Sequence, residues 1–194
     1  MEKTFIAATG NAHKLVELRR ILEPMGFEVL PADKRDLDGI VENGKTFKEN
    51  SLIKARHIFE RTGLPTIADD SGISIDALRG LPGIYSARFL GDTPYEITNQ
   101  VIIDSLKGLS IKERSAHFTC CISIVTKCGE YTFEGILDGT IANEIKGTNG
   151  FGYDPIFSVG EKTTAELSDE EKDKISHRGR ALRKLQENFS TIKF

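Results

Sequence analysis

Residues 64–72 read Leu-Pro-Thr-Ile-Ala-Asp-Asp-Ser-Gly, an apolar stretch that ends in two carboxylates, a hydroxyl and a glycine. The apolar part predicts a buried strand, and the polar part predicts a tight turn that begins at Asp69. In open α/β folds, ligands bind outside the carboxyl ends of the strands. The stretch therefore predicts a sheet protein with acidic side chains at a ligand-binding edge.

The acidic pair Asp69 and Asp70 needs a positive charge nearby, because adjacent carboxylates repel one another. A divalent metal is one candidate. Mg²⁺ prefers oxygen ligands and is usually held by one or two carboxylates, with substrate phosphates and water in its remaining positions. A solvated turn without a ligand explains the same four residues equally well, so the pair alone leaves both interpretations open.

Composition narrows the class of protein. The chain has 194 residues, of which 39% are hydrophobic and 28% are charged, as expected of one globular domain over residues 1–194. Its net charge of −3 argues against a protein that coats nucleic acid, which needs a basic surface. No stretch is apolar and long enough to span a membrane, and the first residues do not resemble a signal peptide, so we expect a cytoplasmic protein without a membrane partner.

The three cysteines, Cys120, Cys121 and Cys128, are an odd number in one region and lack the spacing of zinc ligands. A disulfide pairs two cysteines, and cytosolic proteins rarely contain one. We therefore predict reduced structural thiols.

Hydrophobic spacing predicts an alternation of strands and helices. Two later strands, 116–126 and 131–137, are separated by a turn at Cys128-Gly129 and should form an antiparallel hairpin. The remaining predicted elements are a first strand at residues 4–8 and helices at residues 15–25, 46–63, 95–106 and 181–189, with capping-box spacing at residues 46–49 and 168–171. This order predicts a mixed sheet surrounded by helices, in the α/β or mixed α+β class.

Two segments carry candidate ligands for phosphate. A glycine turn follows the first strand, and a lysine then stands at the start of a helix, where backbone N–H groups and the helix dipole attract anions. The residues of this segment are Thr9, Gly10, Asn11, Ala12, His13 and Lys14. Lys54, on the helix before the acidic pair, is a second candidate cation. A capped helix start and a surface lysine are the alternative interpretations.

Two later segments carry candidate ligands for a nucleotide base. An aromatic ring and a carboxylate stand on a glycine-containing loop, which suits base stacking and acceptance of a ring N–H. The residues of this loop are Phe151, Gly152, Tyr153 and Asp154. Lys172, His177 and Arg178 add hydrogen-bond donors near the start of the last helix. Each segment taken alone is also typical of a tight turn or a helix cap.

Taken in order, these motifs resemble the inosine triphosphate pyrophosphatase family, whose members hydrolyse non-standard purine nucleoside triphosphates. The resemblance covers essentially the whole chain. The segments that carry it are residues 9–11 with Lys14, Glu42, residues 44–47, Glu49-Asn50, and residues 68–72, 81–88, 150–155 and 176–179.

The resemblance implies a fold and an activity. The fold would be a long mixed β-sheet flanked by helices, with two lobes and a nucleotide cleft between them, and the assembly would be a homodimer. The activity would be Mg²⁺-dependent hydrolysis of dITP, ITP and XTP to the nucleoside monophosphate and pyrophosphate, which removes these nucleotides from the pool.

The resemblance also implies roles for individual residues. Asp70 would be the general base, and Glu42 and Asp70 would hold Mg²⁺. The residues implied to bind the triphosphate are Thr9, Gly10, Asn11, Ala12, His13, Lys14 and Lys54, with Ser71 touching the substrate beside them. The residues implied to form the base pocket are Phe151, Gly152, Tyr153, Asp154, Lys172, His177 and Arg178. In that pocket, an arginine at O6 and a carboxylate near N1–H would accept hypoxanthine and xanthine but leave unpaired groups beside adenine.

Two alternative functions remain at this point. A pyrophosphatase for modified pyrimidine or methylated nucleotides would share the phosphate and metal groups, although the base segments favour purines. A non-catalytic sensor of purine triphosphates would not need a water-activating carboxylate, and the chain carries both Glu42 and Asp70. The sequence therefore favours cleavage over sensing.

Overall fold

The computed structural model describes residues 4–194. Its strands are β1 (Thr4–Ala7), β2 (Glu28–Pro31), β3 (Thr66–Ile75), β4 (Ser115–Thr126), β5 (Gly129–Ile141), β6 (Phe157–Val159) and β7 (Lys162–Thr163). Its α-helices are α1 (Ala12–Leu22), α2 (Lys34–Leu37), α3 (Phe47–Thr62), α4 (Tyr95–Ser105), α5 (Asp169–Ile175) and α6 (His177–Glu187). Within residues 4–194, no helix combines the length and the apolar character needed to cross a membrane.

The strands form one sheet in the order β2-β1-β3-β4-β5-β6-β7. β1 pairs in parallel with β2 and β3, whereas β6 pairs antiparallel with β5 and β7. Only Lys127 and Cys128 separate β4 from its neighbour β5, which is the length of a hairpin connection. The predicted mixed sheet with flanking helices is confirmed.

Polar side chains fix where the first long helices begin. Asn11 accepts hydrogen bonds from the N–H groups of His13 and Lys14, so α1 begins at Ala12, before the first residue of its hydrophobic stripe. Thr46 caps α3 as predicted, and that helix ends at Gly63, which has a left-handed φ of +68°.

The predicted tight turn after Ala68 is wrong, because β3 continues through the acidic pair to Ile75. Gly72 has a packing role instead. A Cβ at this position would lie 2.3 Å from Ser86 Oγ and 2.5 Å from the carbonyl oxygen of Gly83. The glycine therefore lets another segment approach the strand closely, which a turn prediction from Asp-Ser-Gly overlooks.

Other differences concern short or irregular elements. The last helix, α6, begins at His177, near the predicted donors, whereas β5 extends four residues beyond the predicted strand end at Leu137. The sequence did not predict β2, α2, β6 and β7. Each of these four contains four residues or fewer, too few for hydrophobic periodicity to appear.

The chain divides into two compact units. Among residues 4–194, the first contains residues 4–70, Cys120–Gly135 and Arg178–Phe194, and the second contains Ser71–Thr119 and Ile136–His177. Buried residues in the core of the first unit include Phe5, Leu18, Ile67, Ile122, Leu182 and Leu185. Buried residues in the core of the second include Ile73, Ile102, Phe118, Ile141, Tyr153 and Phe157. Each unit thus has its own apolar core.

Candidate active site

Lys54 lies between two carboxylates in the first unit. Its Nζ is 2.7 Å from Asp70 Oδ1 and 3.1 Å from Glu42 Oε2. Burial lowers the pKa of Lys54, but the charges of Asp70, Asp69 and Glu42 outweigh burial and raise it. α3 therefore places a buried, positively charged ammonium group in contact with Asp70.

Asp70 has one bonded oxygen and one open oxygen. Oδ1 accepts a hydrogen bond from Lys54, whereas Oδ2 is buried and has no hydrogen-bond partner within residues 4–194. Burial is the largest influence on this carboxyl and raises the pKa of Asp70 to about 6, against the opposing charges of Lys54 and Lys14. A carboxylate with this pKa and an open oxygen can take up a proton or a metal ion near neutral pH.

Glu42 supplies a second carboxylate from the loop that precedes α3. Burial raises its pKa, but the charge and hydrogen bond of Lys54, with smaller contributions from Asp70 and Lys14, outweigh burial and lower it. Glu42 therefore stays ionised where Asp70 is partly protonated. The negative charge of Glu42 also contributes to the raised pKa of Asp70.

Asp69 has a different environment from its neighbour, because successive residues of a strand point to opposite faces of the sheet. Its Oδ1 lies 3.2 Å from Lys14 Nζ, and its Oδ2 accepts hydrogen bonds from Arg178 Nη2 at 2.8 Å and Nε at 3.1 Å. Burial raises the pKa of Asp69, but Lys14, Arg178 and Lys54 together hold it well below the usual range. Asp69 is therefore a permanent anion.

The sequence did not single out Glu17, although the structure places it in this ion cluster. Glu17 is buried on α1, and its carboxylate accepts a hydrogen bond from Arg178 Nη1. Burial lowers the pKa of Arg178, but Asp69 and Glu17 raise it well above its ordinary value. Glu17 follows Lys14 by three residues on α1, and that spacing on one helix face was the available signal.

The predicted phosphate segment forms the exposed start of α1. Thr9 Oγ1 accepts a hydrogen bond from the N–H of Asn11 at 3.2 Å, and the Asn11 side chain caps the helix. Gly10, Asn11, Ala12 and His13 are exposed. The structure therefore presents a positive helix end to solvent, with Lys14 in the first turn.

The second unit contains a separate buried ion pair. Lys172 Nζ lies 2.8 Å from Asp154 Oδ2, which also accepts a hydrogen bond from the N–H of Phe151 at 2.8 Å. The other oxygen of Asp154 accepts a hydrogen bond from Thr164 at 2.8 Å. Lys172 Nζ also lies 5.1 Å from the centre of the Phe151 ring. Three residues of the predicted base pocket are thus in mutual contact.

Other predicted base-pocket residues are fixed within the second unit. Tyr153 is buried and donates a hydrogen bond to the carbonyl oxygen of Ser86 at 2.6 Å. The Gly152 carbonyl accepts a hydrogen bond from Asn99 Nδ2 at 2.9 Å. The ring of His177 stacks on Phe118, with centroids 4.6 Å apart.

The predicted site residues thus fall into two groups. In the first unit, ion pairs join Asp69 to Lys14 and Arg178, and join Lys54 to Glu42 and Asp70. The other members of the predicted phosphate segment, residues 9–13, precede Lys14 in the same unit. The second unit contains Ser71, Phe151, Gly152, Tyr153, Asp154, Lys172 and His177. Arg178 belongs to the first group, although the resemblance implies a role for it at the base.

Comparisons with known proteins identify the relatives of this chain. The sequence model of the Ham1 family matches residues 5–188. A protein of Bacillus licheniformis named dITP/XTP pyrophosphatase is 46% identical over 188 residues, which cover 94% of this chain and 96% of that protein. A protein of Escherichia coli O157:H7 with the same name is 44% identical over 186 residues, covering 93% and 94% of the two chains.

Solved structures show the same fold. A HAM1 protein from Coxiella burnetii superimposes with a TM-score of 0.87 and 38% identity, covering 97% of this chain and 99% of that one. The Ham1 protein of Staphylococcus aureus gives a TM-score of 0.86 and 35% identity, covering 98% of this chain and 100% of that one. The likeness therefore extends over the whole fold.

Proposed function

Because the chain belongs to the Ham1 family, we propose that it hydrolyses dITP, ITP and XTP to the nucleoside monophosphate and pyrophosphate, with Mg²⁺ as cofactor. The names of the relatives support the substrate class. The observation that carries the proposal is the open, buried oxygen of Asp70 beside Glu42 and Lys54. Most buried polar side-chain atoms in folded proteins have a hydrogen-bond partner, so an unpaired carboxylate oxygen calls for an explanation such as a ligand.

The residues present fit a magnesium ion. Asp70 Oδ2 lacks a hydrogen-bond partner within residues 4–194, and the Glu42 carboxylate contacts the same Lys54. Mg²⁺ takes one or two carboxylates and completes its shell with phosphate and water, and Glu42 and Asp70 are two such carboxylates. Bound there by Glu42 and Asp70, Mg²⁺ would supply positive charge to the triphosphate.

Asp70 is proposed to act as the general base. It would accept a proton from a water molecule, whose oxygen then bonds to the α-phosphorus while the bond to the bridging oxygen of the β-phosphate breaks. Pyrophosphate leaves with the electron pair of that bond. A pKa of about 6 suits this step, because the base is then largely ionised at neutral pH yet still takes up a proton readily.

Positive groups of the first unit are proposed to bind the triphosphate. They are the exposed start of α1, formed by Thr9, Gly10, Asn11, Ala12 and His13, together with Lys14 and Lys54, and Ser71 follows Asp70 in β3. A helix N-terminus and lysines stabilise the charge that develops on the leaving pyrophosphate. Lys54 is already buried and positively charged, so it can stabilise this developing charge without a rearrangement.

The base is proposed to be read by hydrogen-bond polarity. Asp154 would accept from N1–H, and Arg178 would donate to O6, with Phe151, Gly152, Tyr153, Lys172 and His177 completing the pocket. Hypoxanthine and xanthine match this pattern, and adenine presents the opposite one. The cleft, the homodimer and the cytoplasmic location implied by the resemblance are part of the same proposal.

The proposal is tested by incubating the purified protein with ITP and Mg²⁺ and separating the products. We expect IMP and pyrophosphate without IDP, and turnover at least about a hundredfold slower for the Asp70→Asn variant. Binding of ITP without cleavage would instead identify a sensor. Faster cleavage of methylated or modified pyrimidine triphosphates would identify the alternative pyrophosphatase.

A further inference from the structure

Asn50 is a fully buried amide in the first turns of α3. Its Oδ1 accepts a hydrogen bond from the N–H of Gly44 at 2.8 Å. Because an N–H must face an acceptor, this contact fixes which end of the amide points at the loop. Asn50 Nδ2 is buried and has no hydrogen-bond partner in the part of the chain that the structure describes.

Three side chains of α3 hold the loop that carries Glu42: Asn50 and Lys54 on one face, and Glu49, whose Oε2 accepts a hydrogen bond from the N–H of Lys45 at 2.6 Å. Asn50 and Lys54 are four residues apart and therefore neighbours along the helix. Lys54 holds the carboxylate of Glu42, and Asn50 holds the backbone two residues later, at Gly44. The loop is thus attached to the helix by its side chain and by its main chain.

The attachment at Gly44 is close. A Cβ there would lie 2.7 Å from Asn50 Oδ1, 2.7 Å from Glu49 Cβ and 3.0 Å from the Asn50 nitrogen, so no side chain fits. A buried amide with unmet donors also lowers stability compared with an apolar side chain of similar size. The hydrogen bond to Gly44 is therefore the interaction that explains a buried amide at position 50.

We propose that Asn50 is a positioning residue for Glu42: its amide oxygen anchors the loop at Gly44 and so keeps the Glu42 carboxylate in place to bind Mg²⁺ beside Asp70. This inference rests on the proposed role of Glu42 as a metal ligand. Residues that orient metal ligands, without touching the metal, typically change metal affinity or activity by 10-fold to 100-fold when they are replaced, an order-of-magnitude guide.

The test compares Asn50→Ala with Ser51→Ala. Ser51 is the next residue of α3 and is also fully buried, but its hydroxyl lies 2.6 Å from Ser123 Oγ rather than against the loop. Two readouts are measured: hydrogen exchange of the Gly44 amide in metal-free protein, and the Mg²⁺ concentration that gives half-maximal ITP hydrolysis.

For Asn50→Ala, we expect faster exchange at Gly44 and a Mg²⁺ requirement raised by roughly tenfold. For Ser51→Ala, we expect Gly44 to stay protected and the Mg²⁺ requirement to change by less than about twofold, because the anchor is intact. Equal effects of the two variants would overturn the inference, since they would show a general loosening of α3. A protected Gly44 amide in Asn50→Ala would also overturn it.

Gly44→Ala tests the same anchor from the loop side and remains informative if Asn50→Ala does not fold. The added methyl group would displace the loop from Asn50, so the Mg²⁺ requirement should rise as it does for Asn50→Ala. In the double variant that carries both Asn50→Ala and Gly44→Ala, the increases in Mg²⁺ requirement should not multiply, because both substitutions remove the same contact. Multiplying effects would contradict a shared anchor.

The outcome also separates this inference from the proposed function. If the parent protein does not cleave ITP, or needs no metal, the proposed function fails while exchange at Gly44 still reports on the anchor. If the parent cleaves ITP with Mg²⁺ and the Asn50 and Ser51 variants behave alike, only the role of Asn50 fails.

Discussion

Asp69 and Asp70 are consecutive residues of β3, yet burial raises the pKa of Asp70 to about 6 while Lys14 and Arg178 hold that of Asp69 well below its usual range. The difference follows from the faces of the strand, because alternate side chains meet different partners. One carboxylate is thus available for proton transfer, and the other is a permanent charge.

Replacing each aspartate should separate catalysis from stability. Asp70→Asn should keep the fold and bind ITP but lose at least about a hundredfold in kcat, as expected for removal of a general base. Asp69→Asn should reduce turnover less. A larger loss of turnover for Asp69→Asn, measured at a temperature at which both variants are folded, would reverse the two assignments.

Asp69→Asn should mainly affect stability. It removes the negative charge opposite the buried Arg178 and Lys14, and breaking a buried ion pair typically costs on the order of 3 kcal/mol or more. Urea denaturation of parent and variant at pH 7 measures the free energy of unfolding. An unchanged midpoint would show that the cluster contributes nothing to folding.

Stability of Asp70→Asn should depend on pH in metal-free buffer. The parent Asp70 has a folded pKa of about 6, above its ordinary value of 3.8, so the folded state binds this proton more tightly than the unfolded state. Its contribution to stability is therefore fully present below about pH 4 and lost as the pH rises through 6. The free energy of unfolding of Asp70→Asn, taken relative to that of the parent, should therefore increase by roughly 3 kcal/mol between pH 4 and pH 7.5.

Urea denaturation in EDTA across this pH range checks the prediction. Ser51→Ala serves as the control, because it removes a buried polar group of α3 without a carboxyl. A stability difference between Asp70→Asn and the parent that does not vary with pH would show that Asp70 titrates normally.

Activity should require a small divalent cation. EDTA should abolish ITP hydrolysis, and Mg²⁺ should restore it. Ca²⁺ should restore it poorly, because its longer and looser coordination does not hold phosphate and water in line. Full activity in chelator would remove Glu42 from the reaction.

Arg178→Ala tests selectivity for the base. If Arg178 donates to O6, its removal should cost about 2 to 3 kcal/mol of binding to inosine and xanthine nucleotides, as expected for a charge-assisted hydrogen bond. ATP gains nothing from the arginine, so the ratio of kcat/KM for ITP to that for ATP should shrink. Equal losses for both substrates would move Arg178 from the base to the phosphates.

Glu17→Gln is the matched control for Arg178→Ala. It removes one carboxylate partner of the arginine but leaves the guanidinium and its contacts with Asp69. The ITP to ATP ratio should therefore stay close to that of the parent. A ratio that falls equally in both variants would show that the ion cluster affects selectivity only through its effect on the fold.

The sequence predicted the elements whose signals are local. The cap at Thr46, the stop at Gly63 and the hydrophobic stripe between them define α3 without reference to the rest of the chain. Lys54 and Asp70 were identified as site residues by position in motifs. The structure adds that they are in direct contact.

The ion cluster around Asp69 could not be predicted in the same way. Its members come from α1, β3 and α6, and positions 17 and 178 are 161 residues apart. No local pattern specifies which of several charged residues meet in the core. Gly72 was misread for a similar reason, since its close neighbours Gly83 and Ser86 come from a later segment.

The central claim is hydrolysis at the α-phosphorus, and an isotope measurement tests it most directly. The parent protein converts ITP in water enriched in ¹⁸O, with Mg²⁺ present, and mass spectrometry of both products locates the label. Attack at the α-phosphorus predicts one ¹⁸O atom in IMP and none in pyrophosphate. Label in pyrophosphate, or release of labelled orthophosphate as the first product, would contradict the account.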